Sequence, residues 1–194
     1  MQDIEPFFRW RDQYITSEDM RSPFYGTQNS EFQYTNAIYN YYIHPQWDDM
    51  DSETLYLKIL FVDYIEQYAI IEFIGEWNDA IQNDIMYLKR KVIEKLMKHH
   101  IKYFVLILDN VLNFHSSDDC YYEEWYEEVS EEGGWIVMLG TMNHVEDELK
   151  QCGLQHFIHF GSDLNDIVWR RLDAPGLIYA VNKTLQAQVK RLRN

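Results

Sequence analysis

The stretch His115-Ser116-Ser117-Asp118-Asp119 gathers an imidazole, two hydroxyls and two carboxylates within five residues, and Asp109 stands ahead of it in the chain. Those residue types allow three kinds of chemistry. A serine hydroxyl can accept N–H bonds at the start of a helix, with the acids of the first turn facing the positive end of its dipole. His115 with Asp118, Asp119 and Glu123 could ligate a divalent ion, although neither an HExxH pattern nor a cysteine-rich spacing accompanies them. Ser116 or Ser117 could also receive a phosphate. It would then sit beside Asp118 and Asp119 and ahead of Glu123 and Glu124, and between Tyr103 and Leu149 there are 12 acidic residues and no lysine or arginine. A phosphate there meets like charge, so the residues by themselves favour the helix cap.

Other chemistries lack their parts. His156 and His159, three apart in a segment that reads as a strand, point to opposite faces and do not chelate together. Cys120 lies among acids that raise its thiol pKa, and no nucleophile elbow is visible. Gly75 is a single glycine at a strand-helix junction, short of what a dinucleotide site requires. Trp169-Arg170-Arg171 and Arg9-Trp10-Arg11 could make a cation-aromatic surface. The favoured alternative is that the arginines pair with the carboxylate excess and the tryptophans fill the core edge. No cofactor and no metal are expected.

The elements that must position these residues follow from periodicity. Residues 33 to 43, with Tyr39, Tyr41 and Ile43 alternating, read as a strand stopped by His44-Pro45. TLYLKILFVDYI and YAIIEFIG, separated by Glu66-Gln67, read as a hairpin. From Asn78 the period changes, and Ile81, Ile85, Leu88, Val92 and Leu96 mark an amphipathic helix. YFVLIL is a buried strand bounded by Asp109-Asn110, so that Asp109 to Asp119 form a strand-end loop. A helix over 118 to 132 ends at Gly133-Gly134. WIVMLG is the next strand, Asn143 and Glu146 have capping-box spacing for the helix after it, and HFIHF is a short strand. SDLNDIVWRRL and the run from Pro175 finish the chain as helices.

With 194 residues and an apolar fraction of 46%, the chain suits one domain with one core. The first 50 residues hold 12 aromatics and must dock on something. The division expected is residues 1–50, an aromatic extension packed on the domain with an edge strand of its own, and residues 51–194, the α/β domain. A net charge of −15 repels polyphosphate backbones and anionic lipid, which argues against nucleic acid and membrane partners. Lys89-Arg90-Lys91 and Lys190, Arg191 and Arg193 fall on helices and read as solvated faces. Two cysteines make no disulfide framework, and MQDIEPFF lacks the features of a secretory signal, so a cytoplasmic protein is expected.

The run FVLILDNVLNFHSSD resembles the strand and switch loop of STAS domains, the family of the anti-sigma factor antagonists and the SpoIIAA-like proteins. VMLGTMNHVEDELKQCGLQHFIHFGSDLNDI resembles their later half, so that the likeness runs over about residues 55 to 172. Asp109 looks like the family's strand-end Asp. Aligned on Phe114, Ser117 takes the place of the family's phosphoacceptor serine; aligned on the serine pair, Ser116 does. Two departures accompany either choice: the Asp before the serine is missing, and Asp118-Asp119 replaces a small residue and glycine. Asp109 and Thr141 also invite comparison with response-regulator receivers. The opening hairpin, and Gly161-Ser162 where a receiver has lysine, count against that.

The resemblance implies an α/β fold with a mixed five- or six-stranded sheet packed with helices. It also implies a non-catalytic bacterial regulatory or protein-interaction module. The interaction loop would carry Asp109, Asn110, Asn113, His115, Asp118 and Asp119, and the partner surface Tyr121, Glu123, Glu124 and Trp125. The alternative is a small apolar ligand, or an enzyme site, in a pocket between sheet and helices where Asp109, Asn113 and His115 converge. A homo-oligomer joined through the amino-terminal edge strand, with Tyr39, Tyr41 and Tyr42, is a further expectation.

Overall fold

The computed structural model describes residues 4–117 and 120–192. Its centre is a five-stranded mixed sheet in the order β3-β4-β5-β6-β7: β3 is Asp48–Asp49, β4 Leu55–Asp63, β5 Tyr68–Asn78, β6 Tyr103–His115 and β7 Trp135–Leu139. The first three pair antiparallel, while β5 with β6 and β6 with β7 are parallel. This is the α/β class with the mixed sheet that the sequence implies. The β4–β5 turn lacks an Asn-Gly pair, and Asp63 compensates by accepting the N–H groups of Ile65 (2.9 Å) and Glu66 (3.0 Å). Gln67 closes that turn in the left-handed region (φ 63°).

Both sheet faces are covered, which explains why the strands read as nearly continuous apolar runs. On one face Leu57, Ile71, Phe104, Leu106 and Met138 pack against helices. Those helices are α1 (Asp84–Tyr87), continued through a π-helical turn at Leu88–Ile93 into α2 (Glu94–Met97), then α3 (Cys120–Glu131) and α4 (Asn143–Gln151). On the other face Ile70, Val105, Ile107 and Val137 meet Trp10, Trp169 and α5 (Ala174–Leu192). Beside them Tyr56 and Ile74 meet Ile43 and Trp47. The amino-terminal segment is therefore half of the cover of that second face. Among the described residues no helix is long and apolar enough to cross a membrane.

Several expectations are corrected. Residues 33 to 43 do not form one strand: β1 (Ala37–Ile38) and β2 (Tyr41–Tyr42) make a ribbon of their own around Tyr39 (φ 53°), apart from the main sheet. The sheet edge on that side is β3, so the exposed Tyr39, Tyr41 and Tyr42 do not lie on an edge strand of the main sheet. The helix after β5 begins at Asp84, and Ile81 is 80% exposed in the loop before it. Asn143 provides no capping box, because Met142 occupies the cap position and no side chain bonds there. HFIHF contributes a single bridge, His159 to Val137, and SDLNDIVWRRL makes two short 3-10 turns.

Candidate functional site

β6 is longer than its apolar core suggests, and this moves the residues expected in a loop. Asn110, Asn113 and His115 pair with Ile74, Glu76 and Asn78 of β5, so they and Asp109 stand on the strand. The loop begins only at Ser116. The Asp109 side chain accepts from Trp169 Nε1 (3.0 Å) and from Arg170 (Nε 3.3 Å, Nη2 3.2 Å). Arg170 Nη2 also donates to Glu72 Oε1 (3.0 Å), whose other oxygen accepts the Phe7 N–H (2.7 Å). Glu72 is wholly buried, and desolvation pushes its carboxyl up to about 7 against the opposing pull of Phe7 N–H and Arg170. Gly140 (φ 69°) leaves the room this cluster needs: a Cβ there would lie 1.8 Å from Asp109 Oδ1.

That network decides the Trp-Arg reading as well. The Arg170 guanidinium lies 4.4 Å from the Trp169 ring centre, Arg9 donates to the Arg170 carbonyl (3.0 Å), and Trp10 and Trp169 are buried. Arg170 is a latch between the amino-terminal segment, the sheet and the carboxy-terminal third, with its charge already used.

The remaining predicted residues among those described are held by separate partners. Asn113 Nδ2 donates to Glu76 Oε1 (3.0 Å), and Tyr39 OH occupies the other oxygen (2.7 Å). The Asn110 amide nitrogen is buried without a hydrogen-bond partner among the described residues. His115 is exposed, and its carbonyl accepts Asp79 N (2.9 Å) and Ala80 N (3.2 Å). Ser117 is exposed, and Ser116 hydrogen-bonds the Cys152 thiol, whose pKa burial raises. Asp118 and Asp119 lie outside the described residues.

The expected partner surface is partly overturned. Trp125 is fully buried, its ring 5.2 Å from Phe104, and so cannot face a partner. Glu124 bonds both Arg90 nitrogens (3.0 and 3.1 Å) and Lys89 (3.4 Å), while Glu128 takes the buried Lys89 at 2.8 Å. Tyr121 is half-buried beside Arg90. Glu123 remains exposed with Tyr126, Glu127 and Glu131, and Asp147 and Glu148 of α4 are exposed on the same side of the sheet.

Two polar sites have roles that the sequence reading, which places Asp79 inside the helix, did not assign. Asp79, buried before α1, accepts Trp77 Nε1 (3.0 Å), Ile85 N (2.8 Å) and Tyr122 OH (2.6 Å). Desolvation pushes its carboxyl up to about 6. By satisfying an N–H of the first helical turn it does a cap residue's work from five positions upstream of Asp84. The second site is a cavity of about 470 Å³ between β4 and the amino-terminal segment, floored by a Lys58–Asp48 ion pair (3.0 Å) and walled by Tyr14 and Ile15. Nothing in local sequence pairs those residues; only the fold does.

No protein-family model matches the sequence, and no curated protein does. Among solved structures the chain is similar to the anti-sigma factor antagonist SpoIIAA in its unphosphorylated form, at 13% identity and a TM-score of 0.44, over 57% of this chain and 92% of that one. It is also similar to the Bacillus cell fate determinant SpoIIAA in the phosphorylated form, at 12% identity and a TM-score of 0.40, over 57% of this chain and 96% of that one.

Proposed function

We propose that the chain is a non-catalytic regulatory module that acts by binding another protein through the exposed face of α3 and α4. The observation that carries this reading is a division of labour among the acids. Glu124 and Glu128 pair with Lys89 and Arg90 within the chain, whereas Glu123, Glu127 and Glu131 share the exposed side of α3 with Tyr126 and make no ion pair among the described residues, and Asp147 and Glu148 are exposed on α4. A partner with a basic surface and an apolar contact for Tyr126 fits such a face, and the field of a chain with net charge −15 speeds its approach.

Capture from the native host tests it, with wild-type bait beside a Glu123→Lys/Glu127→Lys variant and a Ser116→Ala/Ser117→Ala variant. The expected result is one protein with a basic surface, retained by wild type in low salt and lost with the charge reversal. Equal capture by wild type and the reversal removes the α3–α4 face from the mechanism. Intact mass of the recovered bait reports separately on the serines: a gain of about 80 Da, absent from the alanine variant, makes Ser116-Ser117 a phosphorylation switch on that surface.

A further inference from the structure

We infer that the outer edge of β4 is a docking slot for an extended, basic segment of a partner polypeptide, bound as an added strand. β4 has nine residues, yet β3 pairs with only two of them, Asp48 with Leu57 and Asp49 with Tyr56. Pro45, which has no N–H, and the turn closed by Trp47 N to His44 O (3.3 Å) keep the chain from running on beside β4.

The backbone parity of β4 identifies what is left open. Glu76 N donates to Thr54 O (2.8 Å), so the hydrogen-bonding groups of positions 54, 56 and 58 turn toward β5. The register shifts between Ile59 and Phe61, and the side chains of Leu60 and Phe61 both join the second-face cluster, as expected where two residues oppose one. Beyond that bulge Phe61 and Asp63 face β5 again. The N–H and C=O groups of Ile59 and Val62 therefore turn outward. Both residues are buried, 2% and 6% exposed, and among the described residues no other segment hydrogen-bonds their backbone on that side. Buried backbone groups at a sheet edge are ordinarily paired, and a strand is the partner whose spacing fits them.

Beside Ile59, at the start of the path such a strand would take toward Val62, there is instead the cavity of about 470 Å³, bounded by Lys58, Ile59 and Leu60 on one side and by residues 14–17 and 27–29 on the other. An extended peptide suits it: its main chain meets the β4 edge, and one apolar side chain enters beside Tyr14 and Ile15. Charge selects a basic segment. Lys58 is paired with Asp48 (3.0 Å) and Arg11 with Glu5 (3.5 Å), while Glu31 at the mouth makes no ion pair among the described residues. The slot is on the opposite flank of the sheet from β7 and rests on nothing claimed for α3 and α4.

The full-length chain, screened against a displayed library of random eight-residue peptides, tests the inference. Enriched peptides should alternate apolar residues with Lys or Arg, and the strongest, resynthesised, should slow amide exchange of Ile59 and Val62 by roughly tenfold or more. N-methylation of that peptide on the face turned to β4 should abolish binding, and on the other face should spare it. Gln28→Trp, which fills the cavity from an exposed position, and Glu31→Lys should each weaken binding about tenfold or more, whereas Glu123→Lys/Glu127→Lys should leave it unchanged. An empty selection, or a peptide that protects other amides, overturns the inference. So does light scattering that shows a dimer whose Ile59 and Val62 amides are already protected, because a second copy then owns the edge.

Discussion

The two faces of the sheet are covered in different ways. Under α1 to α4 the contacts are apolar and continuous from Leu55 to Ile158, with only Phe24 and Met50 of the amino-terminal segment buried among them, and the main buried polar groups at the margin, Asp79 and Lys89, have their partners in the helices and the strand end. Under the amino-terminal segment and α5 the apolar contacts fall into two separate clusters, and Glu72, Arg170 and Asp109 form a polar latch on the same face. Helices cover a face by repetition. An irregular segment cannot, so it is fixed at discrete points: Trp47 Nε1 on Ile4 O (2.8 Å), Phe7 N on Glu72, and Trp10 among Phe7, Phe61 and Trp169. The first arrangement favours all-or-none stability, and the second allows one side to lift while the other holds.

The sharpest break of this comparison is Trp77→Ala. Trp77 is fully buried between Phe73 and Phe114, and its loss should cost about 4 kcal/mol, seen as a lower denaturant midpoint with all amides affected together. Trp10→Ala on the other face should instead release the amino-terminal segment to protease while the exchange of β5 and β6 amides is retained. If both variants unfold the whole chain equally, the two covers are not distinct.

The pH dependence comes next in size. The Glu72 carboxyl is raised from 4.5 to about 7 by burial, so the native chain holds a proton that the unfolded chain has lost. Its contribution is fully present below about 4.5 and is lost as pH rises to about 7, a change of up to about 3 kcal/mol. Asp79, raised from 3.8 to about 6, adds a slope of the same sign at lower pH. Glu72→Gln should flatten the upper part of that profile in urea titrations, and Asp79→Asn the lower part. Arg170→Ala follows, at about 2 kcal/mol, since Arg170 is partly solvated while Glu72 would be left buried with only Phe7 N–H. Arg170→Leu with Glu72→Leu should recover most of the loss, which a simple packing defect would not.

What the sequence made legible follows the same division. β4, β5, α3, β7 and α5 were readable because each carries a period or a bounded apolar run that the packed layers require. The end of β6 was not: Asp109 and Asn110 look like a strand's end, but β6 runs on past its last pairing with β7, where Asp109 meets Arg170 and Asn113 meets Glu76. The aromatic density of the first 50 residues announced docking without its path, since discrete side-chain anchors leave no period. Of the candidate site, the internal pairing of Arg170 was legible from the acid excess. Burial of Trp125 was implicit in the stripe it shares with Tyr122 and Val129. The slot at β4 was out of reach, because residues 14–17, Asp48 and Lys58 meet only in the folded chain.

The smallest effect separates pattern from placement. Ile81 fits the i, i+4 spacing to Ile85 and reads as the first apolar residue of the helix, yet the helix starts at Asp84 and Ile81 projects from the preceding loop, 80% exposed. Its N–H is already held by Asn78 Oδ1 (3.0 Å), so the loop's conformation does not depend on the side chain. Ile81→Ser should therefore move the denaturant midpoint by less than about 0.5 kcal/mol equivalent, while Leu88→Ser, on the same apparent stripe but fully buried, should cost several-fold more. Comparable losses would mean that the stripe begins at Ile81 after all, and that Asp79 sits inside the helix rather than capping it from outside.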